Sequence, residues 1–195
     1  MPVSLSSPSC RTLLPALIVA ALASTARSAD PKAYDDGKYA FSLTVSEPWT
    51  ESPLKNYTAP GTIRAAWAGP AASSIVAFVQ EPGRAFSPRF LVDQSVKGME
   101  QALGAKASVK DVRTIGGKKA MWMVISGKGT GGALDGKSDV ETTQHWVAIP
   151  REKDIVVILL TCPAADYEAR RPSFEKTLVA MQIKGIQTAE QSEAK

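Results

Sequence analysis

GGALDGKS, residues 131–138, fits the phosphate-binding pattern G-x-x-x-x-G-K-[ST] letter for letter. That pattern holds phosphate only where a buried strand runs into it and a helix opens directly behind it, because the helix start supplies the amides that grip the anion. KAMWMVIS at 119–126 reads as a strand before it. The segment behind it, DVETTQHWVAI at 139–149, is rich in β-branched and aromatic residues and reads as a second strand. No hydrophobic run ending in Asp comes later to hold magnesium, and the upstream GKGTGG is flexible rather than a defined nest. The motif is a hairpin connection, and no nucleotide is expected.

His145 is the single histidine, and Cys162 is the one thiol beyond Cys10. A nucleophile–base pair would have to use both. If PREKD at 150–154 closes a hairpin centred on Glu152, His145 lies opposite Leu159 and Cys162 opposite Thr142. Three residues of strand then separate the pair, roughly 10 Å at the usual rise, too far for proton transfer. There is no G-x-S-x-G elbow. One His, one Cys and scattered carboxylates give no metal-ligand spacing. The expectation is no catalytic, cofactor or metal residue, with His145 a strand residue whose imidazole is satisfied.

Tryptophans offer a different chemistry. If the glycine-rich loop closes a symmetric hairpin, Trp122 and Trp146 are direct cross-strand neighbours, with Val124, Ser126, Thr142 and Gln144 on the same face. Such a pair stabilises a sheet by about 0.2–1 kcal/mol on its own account, so a structural role explains it. The functional reading is an aromatic shelf for an apolar or sugar ligand, with Trp122, Gln144 and Trp146 as the candidate surface. Asn56-Tyr57-Thr58 is a glycosylation sequon, meaningful only in a host that glycosylates exported proteins.

These residues must be positioned by a succession of strands and two helices. FSLTV at 41–45 alternates apolar and polar side chains, a half-buried strand. TIRAAWA at 62–68 and SIVAFVQ at 74–80 form a hairpin around Gly69-Pro70. Residues 87–104 form the clearest helix: Ser87 caps it, Pro88 opens it and Gly104 stops it. Val92, Val96, Met99 and Leu103 recur on one face, and Phe86 can staple onto Leu91. SVKDVRTI leads through Gly116-Gly117 into the strand at 119–126. IVVILLTC at 155–162 has no alternation until Thr161, so both its faces need cover. A terminal helix carries Phe174, Leu178 and Met181 on one face, and Pro172 marks its start or a kink. Nothing marks Thr143 as costly to truncate.

The first residues read as an address. Arg11, the apolar run Leu13–Leu22 and the small residues of ASTARSA come one after another, with no acidic residue before Asp30. That order is a secretory signal, too short to span a membrane, with cleavage placed after Ser28. A transit peptide is the alternative, though it would carry more Arg and less contiguous apolar sequence. Without the leader, 21 basic residues face 19 acidic ones, interleaved along the chain, which leaves no footprint for nucleic acid. Cys162 then stands alone, so no internal disulfide can form and the core must carry the fold.

The order of segments resembles the PsbP-like domain family, which includes the DcrB-like periplasmic proteins. The likeness covers about residues 34–186 and rests on YAFSLTVSEPWTE at 39–51, the Ser-Pro-capped helix, IGGKKAMWMVIS at 115–126, IVVILLTC and the terminal helix. Its most specific pieces are the Phe41–Trp49 opening and Gly117 with Ala120. Trp49 follows Pro48 directly here, which departs from the family spacing. The resemblance implies an α/β/α sandwich around a central antiparallel sheet (fold class α+β), as the double-sided burial also requires, and a non-enzymatic accessory or binding protein. The metal contacts of the photosynthetic branch use residues that have no counterpart here. The expected organisation is a signal peptide at 1–28, a single PsbP-like domain at 29–186 and a flexible tail at 187–195. The expected function is binding of a protein partner in the envelope or outside the cell. The alternative is a small-ligand carrier or hydrolase using the Trp122/Trp146 surface.

Replacing Lys137 by Ala should leave folding and any activity unchanged. A nucleotide titration with micromolar affinity that is lost in Lys137→Ala would overturn the hairpin reading.

Overall fold

The computed structural model describes residues 32–128 and 140–184. The leader, the 131–138 motif and the tail at 187–195 lie outside the described residues. Among the described residues, ten strands and two α-helices run in the order β1 (Lys32–Asp36), β2 (Phe41–Val45), β3 (Thr50–Glu51), β4 (Thr62–Gly69), β5 (Ser73–Gln80), α1 (Pro88–Leu103), β6 (Lys106–Ile115), β7 (Lys118–Lys128), β8 (Glu141–Pro150), β9 (Ile155–Pro163), α2 (Tyr167–Val179) and β10 (Gln182–Ile183). Seven strands form one antiparallel sheet in the order β3-β4-β5-β9-β8-β7-β6. The fold class is α+β.

Strand β9 lies at the centre of that sheet, and residues 155–162 are all buried. Val156, Ile158 and Leu160 enter one core with Phe174 and Leu178 of α2. Ile155, Val157 and Leu159 enter the other with Val92 and Val96 of α1. Each face of the sheet therefore has its own core, the three-layer arrangement that an apolar central strand demands. One layer differs from the simple sandwich. The α2 face is also covered by a second, three-stranded sheet in the order β1-β2-β10. There Phe41, Leu43 and Val45 point into the core while Ser42 and Thr44 are half-buried, the alternation read from FSLTV.

Local signals act where the residue types require. Ser87 Oγ accepts the Phe90 amide at 3.1 Å, Pro88 opens α1, and Gly104 closes it with φ at 58°. Gly116 and Gly117 both have positive φ (54° and 79°), the conformation a two-residue turn between right-twisted strands needs. The staple differs from expectation: Phe86 stacks on Phe90, 5.5 Å between ring centroids, and the Arg84 guanidinium lies over the Phe86 ring at 4.7 Å, while Leu91 packs on the α1-side core. Pro172 lies inside α2 rather than at its start.

The two sheets are joined by one buried carboxylate. Asp36 receives Arg64 Nε at 2.6 Å, the Tyr34 hydroxyl at 2.8 Å and the Tyr39 amide at 2.9 Å. Burial pushes its carboxyl up, but these three donors outweigh it and hold the group below the ordinary value. A bulge in β4 between Ile63 and Ala65 leaves Arg64 unpaired in the ladder and turns it toward Asp36. Trp49 joins the same layer to α2, its Nε1 donating to Ser173 Oγ at 3.0 Å.

Val157→Ala and Ile158→Ala cut opposite faces of β9, and each should destabilise by ~2–4 kcal/mol through lost transfer energy plus a cavity. Chemical denaturation measures both, with Thr114→Ala as an exposed control costing under about 0.5 kcal/mol. An effect at only one of the pair would mean an open sheet face. Thr143 is unsuitable as that control. It is buried, and its hydroxyl pairs with Ser126 at 2.7 Å.

Candidate functional site

The register of β7 against β8 decides where the candidate residues face. Trp122 pairs with Val147 and Met123 with Trp146, one residue away from the symmetric hairpin. A one-residue slip sends a side chain to the other face. Trp122 therefore lies in the α2-side core and Trp146 in the α1-side core, so the two do not form a shelf. Gln144 stays with Trp146, accepting its indole N–H at 2.9 Å. Val124 and Ser126 pair with His145 and Thr143, on the Trp122 face.

Under α2, Trp122 sits in an aromatic stack built around His145. The imidazole lies 4.4 Å from the Trp122 ring, 4.9 Å from Phe174 and 5.9 Å from Tyr167, while Arg113 covers Trp122 at 4.2 Å. His145 is fully buried. Its Nδ1 makes a 3.1 Å hydrogen bond with the Tyr167 hydroxyl, but its Nε2 is buried without a partner, so the imidazole is satisfied at one nitrogen only. Burial, then the positive charges of Arg113 and Arg171, drive its pKa from the ordinary 6.5 to about 3.

Cys162 is buried as well, and burial, aided by Asp166, pushes its thiol up to about 11. The β8–β9 register also slips by one from expectation. His145 faces Leu160, and Cys162 faces Thr143. The pair then share a face as diagonal neighbours, roughly 7–8 Å apart by strand geometry, still beyond proton transfer. Among the described residues, no three His, Cys, Asp or Glu side chains are grouped to hold a metal ion.

On the opposite face a groove of about 260 Å³ opens between α1 and Pro60, floored by Met121, Trp146, Ala148 and Val157. Gly98 of α1 helps to line it, and a Cβ added there would meet no atom within 4 Å. Gln80, Gln94 and Ser95 give it a few polar groups. A wider depression of about 530 Å³ lies beside Tyr34, Leu54 and Arg64, where the Arg64 side chain is already engaged by Asp36. Neither opening leaves a mark in the sequence, because each is bounded by residues far apart in the chain.

This architecture is shared with solved proteins. The cyanobacterial PsbP protein CyanoP from Synechocystis sp. PCC 6803 superposes with a TM-score of 0.54 at 8% identity, covering 78% of this chain and 91% of that one. PA94 from Pseudomonas aeruginosa superposes at 0.51 with 17% identity, covering 81% of this chain and 99% of its own. LpqN of Mycobacterium tuberculosis, a protein involved in cell envelope biogenesis, superposes at 0.51 with 15% identity, covering 82% and 88%. The sequence itself matches no protein-family model and no curated relative. The chain has the PsbP-like fold.

The His145 environment predicts a pH dependence. Its folded pKa is depressed, so its contribution is complete above pH 6.5 and is lost as pH falls toward about 3, where the native imidazole also takes up a proton. Denaturation at pH 7 and pH 4 should show wild type losing on the order of 2–3 kcal/mol more than His145→Gln across that interval. Equal losses would mean the imidazole is hydrated.

Proposed function

We propose that this chain is an exported accessory protein without catalytic chemistry, binding a protein partner in the envelope or outside the cell. One observation carries the reading. The single histidine and the one described thiol, His145 and Cys162, are both buried, and pKa values of about 3 and about 11 leave them neutral at ordinary pH. An imidazole with a pKa near 3 is a poor base, and a thiol near 11 supplies little thiolate. The fold shared with CyanoP and with the envelope-biogenesis protein LpqN supports a role of the same kind, as does the leader pattern before Ala29. Among the described residues no helix is long and apolar enough to cross a membrane.

A second reading has its own support. The groove floored by Trp146 on the α1 face suits a small apolar ligand, so a carrier would use Trp146 with the supporting Gln144, and not Trp122. Gly98→Phe is the variant that should occlude this groove, since an added Cβ there meets open space.

Protein recovered from outside the cytoplasm of its native host should begin at Ala29. Cross-linking in the living host should join it to one stoichiometric protein, and that link should survive His145→Gln, Cys162→Ala and Gly98→Phe. Intact Met1 on a cytoplasmic form would refute export. Turnover of a substrate abolished by Cys162→Ala would refute the non-catalytic role. A co-purifying small molecule lost only in Gly98→Phe would favour the carrier.

A further inference from the structure

Strand β6 is one edge of the large sheet, ten residues long and mostly exposed. Such an edge offers a row of amides and carbonyls to any other strand. Two of its amides are already occupied by carboxylates. Ala107 N–H donates to Glu100 Oε1, reaching over from α1, at 3.4 Å, and Val112 N–H donates to Asp111 Oδ1 at 2.7 Å. Both point away from β7. Their partners there, Ile125 and Met121, lie four residues apart and so share one phase of the antiparallel alternation. The register shift between Ala107 and Val109 brings Ala107 into the phase of Val112. The same alternation directs the amides of Lys110 and Thr114 outward.

Both caps are held in place. Lys110 Nζ lies 3.7 Å from Glu100, and Arg113 Nε lies 3.3 Å from Asp111. The Val112 amide, then Arg113, hold the Asp111 carboxyl below its ordinary range, so it remains ionised and accepting at neutral pH.

The strand's own sequence is complementary to itself. Antiparallel pairing with a second copy, centred on Val112, sets Val112 against Val112, Lys110 against Thr114, and Asp111 against Arg113. Outward amides then meet outward carbonyls, and side chains of opposite charge face each other across the junction. We propose that β6 is a latent self-pairing edge whose matched partner is a second copy of this chain, held unpaired at its centre by the Asp111 carboxylate on the Val112 amide, with Glu100 covering the edge beyond the bulge. This goes beyond the accessory role, since it concerns association of the chain with itself.

Sedimentation velocity on the full chain, from micromolar to millimolar, tests it. Wild type should stay monomeric, while Glu100→Ala/Asp111→Glu, which keeps a negative charge opposite Arg113 but draws the carboxylates off the two amides, should self-associate about tenfold or more tightly, some 1.4 kcal/mol. Adding Val112→Pro removes one outward amide without breaking a bond to β7, and should restore the monomer. A wild-type dimer, a folded double variant that stays monomeric, or a dimer that survives Val112→Pro would each overturn the proposal. A double variant that captures a different protein while remaining monomeric would assign the edge to that protein and overturn it too. Asp111→Ala alone supplies an independent check by hydrogen exchange. The Val112 amide should exchange faster than in wild type, and an unchanged rate would rule out the cap.

Discussion

Strand β9 has no face to give to water, because every residue from 155 to 162 is buried. Two separate layers have to form around it, and each must bring its own apolar surface. On one side α1 contributes Val92 and Val96. On the other, α2 brings Phe174 and Leu178, and the small sheet adds Phe41, Leu43 and Val45. A helix is only about 10–12 Å across, so one helix cannot blanket a sheet of seven strands. That mismatch accounts for the second sheet on the α2 face and for the groove beside α1, where the cover is incomplete.

A cover made of separate pieces has to be fastened, and polar side chains supply many of the fastenings. Asp36 ties β1 to the bulge in β4 through Arg64, and Trp49 ties the β2–β3 connection to α2 through Ser173. Arg151 reaches across to the Tyr39 carbonyl while paired with Asp154 in the β8–β9 turn. His145 belongs to this set as well. Its bond to Tyr167 and its ring contacts anchor α2 over the sheet, and the unpaired Nε2 is a cost the surrounding aromatic packing offsets.

The edges are managed by similar means. Strand β3 ends the far edge with two residues only, whereas β6 is long and carries a bulge and carboxylates on two of its outward amides. In the interior, His145 and Cys162 are held neutral, while the buried Asp36 is held ionised by Arg64.

Much of the fold was legible because it rests on local chemistry. Ser87-Pro88 and Gly104 bound α1, Gly116-Gly117 make a tight turn, FSLTV alternates, and the unbroken apolar run of β9 demands two covered faces. The strand behind GGALDGKS begins at Glu141, opposite Lys128 of β7, as its β-branched composition indicated. The placement of Trp122 and Trp146 on opposite faces was not legible, nor was the pairing of His145 with Leu160. Strand composition is nearly unchanged by a shift of one residue, yet that shift exchanges the two faces, and only the packing of both cores against α1 and α2 selects between the alternatives. The three-stranded sheet was hidden for a related reason. Lys32–Asp36 and Gln182–Ile183 are too short and too polar to announce themselves, and they become strands because β2 lies between them with both edges free to pair.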